Sequence, residues 1–425
     1  MARPLVALLP WGDAIEDFLD EIGVSLDEFC DAMDGGWLFG YVAALATAGV
    51  DATVVCVSRQ VGRPERRLHR PTGAPVWLLP QPRSYRRGRR VARRLARRAR
   101  SARGAVLLAE QAACWAATPF RALTDALRAE GVDAIICQEY DYTRFEVSLL
   151  VGRRLGIPVV ATFQGGSPGG RLALALRRRT VRRGDGLVIA SQGEADRVIG
   201  TYGASPHRVA AIPNPIDTER WAPRERAAAR RALGLPSHAR IAAWHGRVDV
   251  ARKGLDVLVE SWGRVCGDRP GADHRLLLLG TGPDSPDLRR RLAASGAPGV
   301  HWCDEYVLGG EEVRLRLAAA DVFVLPSRHE GFAVAPLEAM ASGRPVVAAA
   351  APGVAQLLGH GDAGLIVPCG DVEALAGALG RLLDAPGEAE AMGAAARVRA
   401  ETMYSLDAVG SALATALAGW GLKLG

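Results

Sequence analysis

The stretch from Asp321 to Asp371 constrains the fold more than any other part of the chain, and it opens DVFVLPSRHEGFAVAPLEAMASGRPVVAAA. An apolar, largely β-branched run, Val322 to Leu325, ends at a Pro-Ser-Arg-His turn. A helix-like segment follows and stops at Gly343, and Val346 and Val347 begin a second strand-like run, so the pattern predicts one βαβ unit. Pro336 is tolerated because the first turn of a helix has no use for its N–H, and Gly343 suits a C-terminal stop. Two carboxylates stand in this unit, Glu330 on the loop before the helix and Glu338 in its early turns. A helix start at the C-terminal edge of a sheet directs free N–H groups and partial positive charge outwards, which suits a phosphate. Carboxylates repel phosphate but accept hydrogen bonds from hydroxyls. The ligand that answers both features carries hydroxyls and phosphate together, as a nucleotide sugar does. Two solvated acids on a surface helix would read the same way in isolation, so the case rests on the rest of the chain.

The same alternation continues on both sides. Ile241 to Trp244 begins a strand, with further strands at 275–279, 299–303 and 364–368 and helices at 287–295, 311–320 and 372–384. This pattern predicts a doubly wound parallel sheet. In the first half, strands are expected at 4–10, 51–58, 131–137, 157–162 and 186–190, with a helix opened by Gly35-Gly36 and ended at Gly49 and another over 145–155. At 425 residues the chain is too long for one compact core, and two domains of roughly 200 residues each are expected. With 49% hydrophobic and 23% charged residues it reads as globular. No apolar run reaches the roughly 18 residues of a membrane span, and the run from Pro4 to Leu9 reads as a strand, not a signal peptide. The seven cysteines form no C-x-x-C pair and several fall in strand-like runs, which predicts reduced, mostly buried thiols in a cytoplasmic protein.

Two charged stretches interrupt the alternation. Residues 13–34 hold Asp13, Glu16, Asp17, Asp20, Glu21, Asp27, Glu28, Asp31 and Asp34 between apolar Phe18, Leu19, Ile22, Leu26 and Phe29. They read as an inserted amphipathic flap, helical in two pieces split near Gly23, and their spacing is not that of a calcium loop. Residues 83–103 are arginine-rich, QPRSYRRGRRVARRLARRARSAR counted from Gln81, with only Val91, Leu95 and Ala99 as a narrow apolar stripe. A solvated helix and adsorption to an anionic membrane surface are both compatible with this segment. Nucleic acid is disfavoured, because Tyr85 alone offers a stacking face and no binding module is recognisable. No G-x-G-x-x-G follows the first strand, which argues against a dinucleotide oxidoreductase.

The motif EGFxxxxLEAMAxGxPVV resembles the Glu-x7-Glu motif of retaining glycosyltransferases of the two-Rossmann-domain (GT-B) type, especially family 4. The resemblance is strongest from 241 to 371. It implies two Rossmann-like doubly wound parallel-sheet domains facing a central cleft: residues 1–213 on the acceptor side, 214–403 binding the nucleotide sugar, and a helix in 404–425 crossing back to the first domain. Residues 210–223, AAIPNPIDTERWAP, resemble the joining segment, and their prolines suit a stiff hinge. By the same resemblance Glu330, with Gly331, Phe332 and Ala333, holds donor-sugar hydroxyls and Glu338 the ribose. Gly246, Arg247 and Lys253 resemble the Gly-Arg and Lys-Gly pair that neutralises the donor diphosphate, with a spacing one residue longer than the commonest form. Lysine occurs only at 253 and 423 in a chain that otherwise uses arginine, so an ammonium is singled out at the expected position. Tyr306 and Val307 are expected near the base. Gly35, Gly36, Trp37 and Gln164 are expected on the acceptor side, where Gln164 replaces the histidine of many relatives and cannot carry a proton.

The implied activity is transfer of a hexose-type sugar from a nucleoside-diphosphate sugar to a glycan, lipid or small-molecule acceptor. Arg247, Lys253 and Glu330 are the expected catalytic residues, and no metal or other cofactor is expected, since two preorganised cations can stabilise a departing diphosphate and no D-x-D occurs. A nucleotide-sugar 2-epimerase, a phosphorylase and a non-enzymatic nucleotide-sugar or membrane-binding module are the competing uses of the same pattern. The expected location is cytoplasmic, with attachment to the inner membrane face if the arginine segment binds lipid.

Overall fold

The computed structural model describes residues 2–10, 12–98, 113–165 and 177–423. Two sheets organise them. The first holds β1 (Leu5–Leu9), β2 (Asp51–Ser58), β3 (Glu65–Leu68), β4 (Pro75–Pro80), β5 (Ala134–Cys137), β6 (Val159–Phe163), β7 (Gly186–Ile189) and β8 (Val209–Ala210) in the order β3-β4-β2-β1-β5-β6-β7-β8. The second holds β9 (Arg240–His245), β10 (His274–Leu279), β11 (Val300–Cys303), β12 (Val322–Leu325), β13 (Val346–Ala349) and β14 (Gly364–Val367) in the order β11-β10-β9-β12-β13-β14. All pairings are parallel except β3 with β4.

Continuous apolar strands follow from this layering. In β12, Val322 and Val324 enter one core while Phe323 and Leu325 enter the core on the opposite face. In β1, Val6 and Leu8 point one way and Ala7 and Leu9 the other. Helices cover both faces, so neither face of these strands is polar.

The order in which strands are added to the second sheet reverses between β9 and β12, which pair in parallel through Val322 with Ala242 and Phe323 with Ala243. A crevice opens at such a reversal, beyond the C-terminal ends of the two strands. Gly246 to Lys253 leave β9 at that point and Glu330 to Glu338 leave β12, so topology alone brings the two motifs together. In the first sheet the reversal lies between β1 and β5. There β1 runs into the acidic stretch, which forms helices Glu16–Ile22 and Leu26–Asp31. Gly23, in the left-handed conformation, separates them, and Ser25 and Glu28 form a capping box on the second. Leu19, Ile22, Leu26 and Phe29 sink into the core of the first sheet.

The helix Leu406–Gly419 packs along the helix Gly36–Thr47, with Val409, Leu413 and Leu417 in the core of the first sheet. The contact is close enough that a Cβ on Gly410 would lie 2.0 Å from the Ala44 carbonyl oxygen. The segment leading into this helix crosses the 211–223 connection, where the Ile216 N–H donates to the Tyr404 carbonyl at 2.7 Å.

Several elements differ from the sequence expectation, the helices Phe120–Glu130 and Leu255–Gly267 among them. β3 and β4 were not anticipated. β3 reads Glu-Arg-Arg-Leu because it is an antiparallel edge strand that buries little, and β4 is bounded by Pro75 and Pro80. The helix Pro386–Arg399 also escaped, because its alanine- and glycine-rich sequence carries no strong apolar stripe.

Candidate active site

At the end of β9, His245, Gly246 and Arg247 lead into the short helix Val250–Lys253, whose first turn is capped by Asp249 accepting from the Arg252 N–H at 3.0 Å. The Lys253 ammonium donates to both oxygens of Glu330, at 2.8 and 3.0 Å. Glu330 is only 7% exposed, so this is a nearly buried ion pair held by two charge-assisted hydrogen bonds. The cation expected at the donor diphosphate and the carboxylate expected at the sugar thus meet directly.

Glu338 lies in the helix Ala335–Ala341 with its side chain 13% exposed. Burial, with Asp34 nearby, pushes its carboxyl up to about 8, so the acid is mostly protonated at neutral pH. The His245 Nε2 stands 3.1 Å from Glu338 Oε2 but is not aligned for a hydrogen bond. Burial, reinforced by Lys253, lowers His245 to about 4 and leaves it neutral. The pair therefore presents uncharged acceptors and one labile proton to anything that enters.

A cavity of about 260 Å³ adjoins them, walled by Gly246, Arg247, Tyr306, Val307 and Glu338 from the second domain. Its opposite wall comes from the first domain through Gly35, Gly36, Phe18 and Ile22. The two domains are also tied by charge: Arg247 pairs with Glu21, and Arg220 with Asp34.

The residues expected on the acceptor side do not gather in one place. Gly35 and Gly36 line the same cavity as Tyr306 and Glu338. Trp37 packs its indole against the core of the first sheet, edge-on to Tyr41 at 5.7 Å, outside the wall of that cavity. Gln164 stands elsewhere, exchanging two 2.9 Å hydrogen bonds with Asn214, which also donates to the Phe332 carbonyl at 2.9 Å. Phe332 buries its ring beside Tyr404 and presents its backbone to the junction. Gly331 is pressed against the other domain, with a Cβ at that position 2.2 Å from the Gln164 carbonyl carbon. Ala333 packs on the second-domain core.

Tyr85, read from sequence as a possible stacking face, is 9% exposed and donates to Asp13. It lies in the first turn of the helix Arg83–Arg98; the remainder of the arginine segment, 99–103, lies outside the described residues, as do residues 166–176. Among the described residues no group of three or more His, Cys, Asp or Glu is arranged to hold a metal.

Family models match both halves. Residues 239–385 match the model described as Glycosyl transferases group 1, and residues 99–220 the model for Glycosyltransferase Family 4. A D-inositol 3-phosphate glycosyltransferase of Thermobispora bispora is 30% identical over 309 residues, 68% of this chain and 72% of that protein. The chain belongs to the family 4 glycosyltransferases of the GT-B type. A protein of the same description from Saccharomonospora viridis is 32% identical over 279 residues, covering 61% of this family 4 chain and 64% of the relative; one from Actinosynnema mirum is 33% identical over 267 residues, covering 58% and 63%. This family 4 chain therefore spans just under two thirds of those two relatives' length. Sucrose-phosphate synthase from Thermosynechococcus elongatus superposes with a TM-score of 0.71 at 21% identity, over 97% of this chain and 98% of the other. Anabaena HepE in complex with UDP superposes at 0.70 and 16% identity, over 97% and 99%. At these identities the superpositions show the shared fold.

Four residues of the site were missed from sequence. His245 precedes the glycine of Gly246-Arg247 directly, and Asn214 sits between two prolines in the joining segment; both positions carried a signal. Glu21 carried none, as one acid among many. Glu139, at the end of β5, has φ +64°, one of only two non-glycine residues among those described in the left-handed region, and its carboxylate accepts from the Gln164 N–H at 3.0 Å. Such strain next to a cleft is a pointer to function that only backbone geometry reveals.

Proposed function

We propose that this chain is a retaining glycosyltransferase that moves a hexose-type sugar from a nucleoside-diphosphate sugar to a hydroxyl acceptor, without a metal. The observation that carries this is the convergence of Arg247, Lys253, Glu330 and Glu338 on one topological switch point. The cavity beside Tyr306 takes the nucleoside, with Glu338 accepting from ribose hydroxyls. Arg247 and Lys253 face the diphosphate, and Glu330 orients the sugar.

In the transfer step the C1–oxygen bond of the donor breaks and its electron pair leaves with the diphosphate oxygen. Arg247 and Lys253 stabilise the charge that accumulates there. The acceptor hydroxyl oxygen bonds to C1 on the same face, and its proton passes to the departing diphosphate. Sugar configuration is retained.

HepE is named in complex with UDP and with UDP-glucose, and the curated relatives are named for D-inositol 3-phosphate, so a uridine donor and a phosphorylated polyol are the first compounds to try. We extend the same reading to glycan or glycoconjugate synthesis in the cell envelope, in the cytoplasm at the inner membrane face, supported by the arginine-rich helix Arg83–Arg98. Among the described residues no helix is long and apolar enough to cross a membrane.

A thermal-shift screen of nucleoside diphosphates and their sugars tests the donor site. A ligand at 100 times its Kd adds about 2.7 kcal/mol of stability. No shift with any member would overturn the proposal, and product formed without acceptor would point to an epimerase instead.

A further inference from the structure

The acidic insert that follows β1 does more than cover the first domain. Its helix Glu16–Ile22 is anchored in the first-domain core by Leu19 and Ile22, which are 1% and 5% exposed. Phe18 and Ile22, at the edge of that core, also form part of the wall of the cavity that holds Tyr306 and Val307. The loop carrying Tyr306 and Leu308 packs in turn against the first-domain core, so the insert and that loop close the cavity from two domains. From the same helix Glu21 crosses the cleft to pair with Arg247. A few residues on, Asp34 pairs with Arg220, whose guanidinium also donates to the Gly309 carbonyl at 2.9 Å at the end of the Tyr306 loop.

We propose that the insert is a working part of the donor site: Phe18 and Ile22 are specificity-determining residues against which the nucleoside is held, and Glu21 is a placeholder carboxylate that the donor diphosphate displaces from Arg247. This rests on the donor-site reading above. Glu21 and Arg247 are 42% and 32% exposed, so solvent already screens their attraction and the pair is inexpensive to open. A diphosphate offers more charge and more acceptor oxygens to the same guanidinium. While the site is empty, Glu21 neutralises a cation that would otherwise attract any small anion. The insert thereby favours ligands that combine a diphosphate, strong enough to expel Glu21, with a flat nucleoside that fills the space beside Phe18.

Isothermal titration of the full chain with UDP, GDP and ADP, and with the corresponding uncharged nucleosides, tests this. Glu21→Gln removes the competing charge and keeps the shape. It should tighten the preferred nucleoside diphosphate about three- to fivefold, the range an exposed ion pair supports, and leave the nucleoside unchanged. Phe18→Ala should weaken nucleoside and nucleoside diphosphate alike and narrow the preference among bases, with Phe18→Leu restoring part of the affinity if packing alone is responsible. Equal diphosphate affinity in wild type and Glu21→Gln would overturn the placeholder role. Unchanged base preference in a folded Phe18→Ala would overturn the wall. If wild type binds no nucleoside diphosphate at all, the donor-site reading itself fails, whereas wild-type binding with indifferent variants removes only the role of the insert.

Discussion

The two sheets present their C-terminal edges to one cleft, yet they furnish it in different ways. In the second domain the loops leaving β9 and β12 carry Gly246, Lys253, Glu330 and Glu338, with Lys253 and Glu330 locked together and Glu338 largely buried. In the first domain β1 runs into a two-helix insert that reaches across through half-exposed Glu21 and through Asp34. The first arrangement suits residues that must be preorganised when charge develops. The second suits walls that can shift when a ligand arrives. The contrast is sharpest between Glu330, withdrawn from water beside Lys253, and Glu21, left largely in it.

That division can be broken most severely at the ion pair. Lys253→Ala leaves a nearly buried carboxylate without its cation and removes one of the two proposed leaving-group stabilisers. kcat/KM should fall by about 10²–10³, and thermal stability should fall with it because breaking one partner of a buried pair is costly. Near-normal turnover with a uridine-diphosphate sugar would sink the assignment of Lys253.

A smaller effect is expected at Glu338, where Glu338→Gln copies the protonated acid. Because burial raises this carboxyl from 4.5 to about 8, the folded chain holds a proton that the unfolded chain has lost between those values. Wild-type stability should therefore decline as pH rises from 4.5 to 8, and the stability gained by Glu338→Gln should grow across the same window. Melting curves from about pH 5 to 9 check this, and a pH-independent difference would show that the acid is ionised throughout. Nucleotide binding should weaken in the variant chiefly above about pH 8, where the wild-type acid ionises and an amide accepts fewer hydroxyl hydrogen bonds than a carboxylate.

At the domain junction, Gln164→Ala strands part of the Asn214 amide and should cost about 1–3 kcal/mol, read from denaturant unfolding. Its effect on donor affinity should be slight, because Gln164 lies away from the cavity that holds Tyr306 and Glu338. A large loss of donor affinity would mean that the junction and the donor site move as one. The smallest effect on transfer is expected from charge neutralisation of arginines 86–100, which should leave the rate with a soluble acceptor unaltered while abolishing salt-sensitive sedimentation with anionic vesicles. Chelating agents should not change the rate at all.

Much of the second domain was legible in the chain itself. Runs such as Val322 to Leu325 are apolar throughout because both faces of a parallel sheet are covered, and Gly343 and Pro336 mark the ends of the helix between them. Lys253 stood out as one of two lysines. The first domain was harder to read, because β3 is an edge strand with charged side chains and β4 lies between prolines. Trp37 and Phe332 sit beside Gly36 and Gly331 in sequence but turn towards cores, since a side chain's direction depends on the packing around it and not on its neighbours in the chain.

The amino-acid sequence by itself determined the alternation of strands and helices, the membership of the family, and the two clusters that leave β9 and β12. Those are set by local hydrophobic period and by residue type at each turn. Only the tertiary structure decided that Lys253 closes on Glu330, that Glu338 is desolvated enough to keep its proton, and that Glu21 reaches Arg247 across a separation of 226 residues. Desolvation and charge pairing are properties of distance in space, and in a chain folded into two facing sheets that distance is fixed by how the sheets dock.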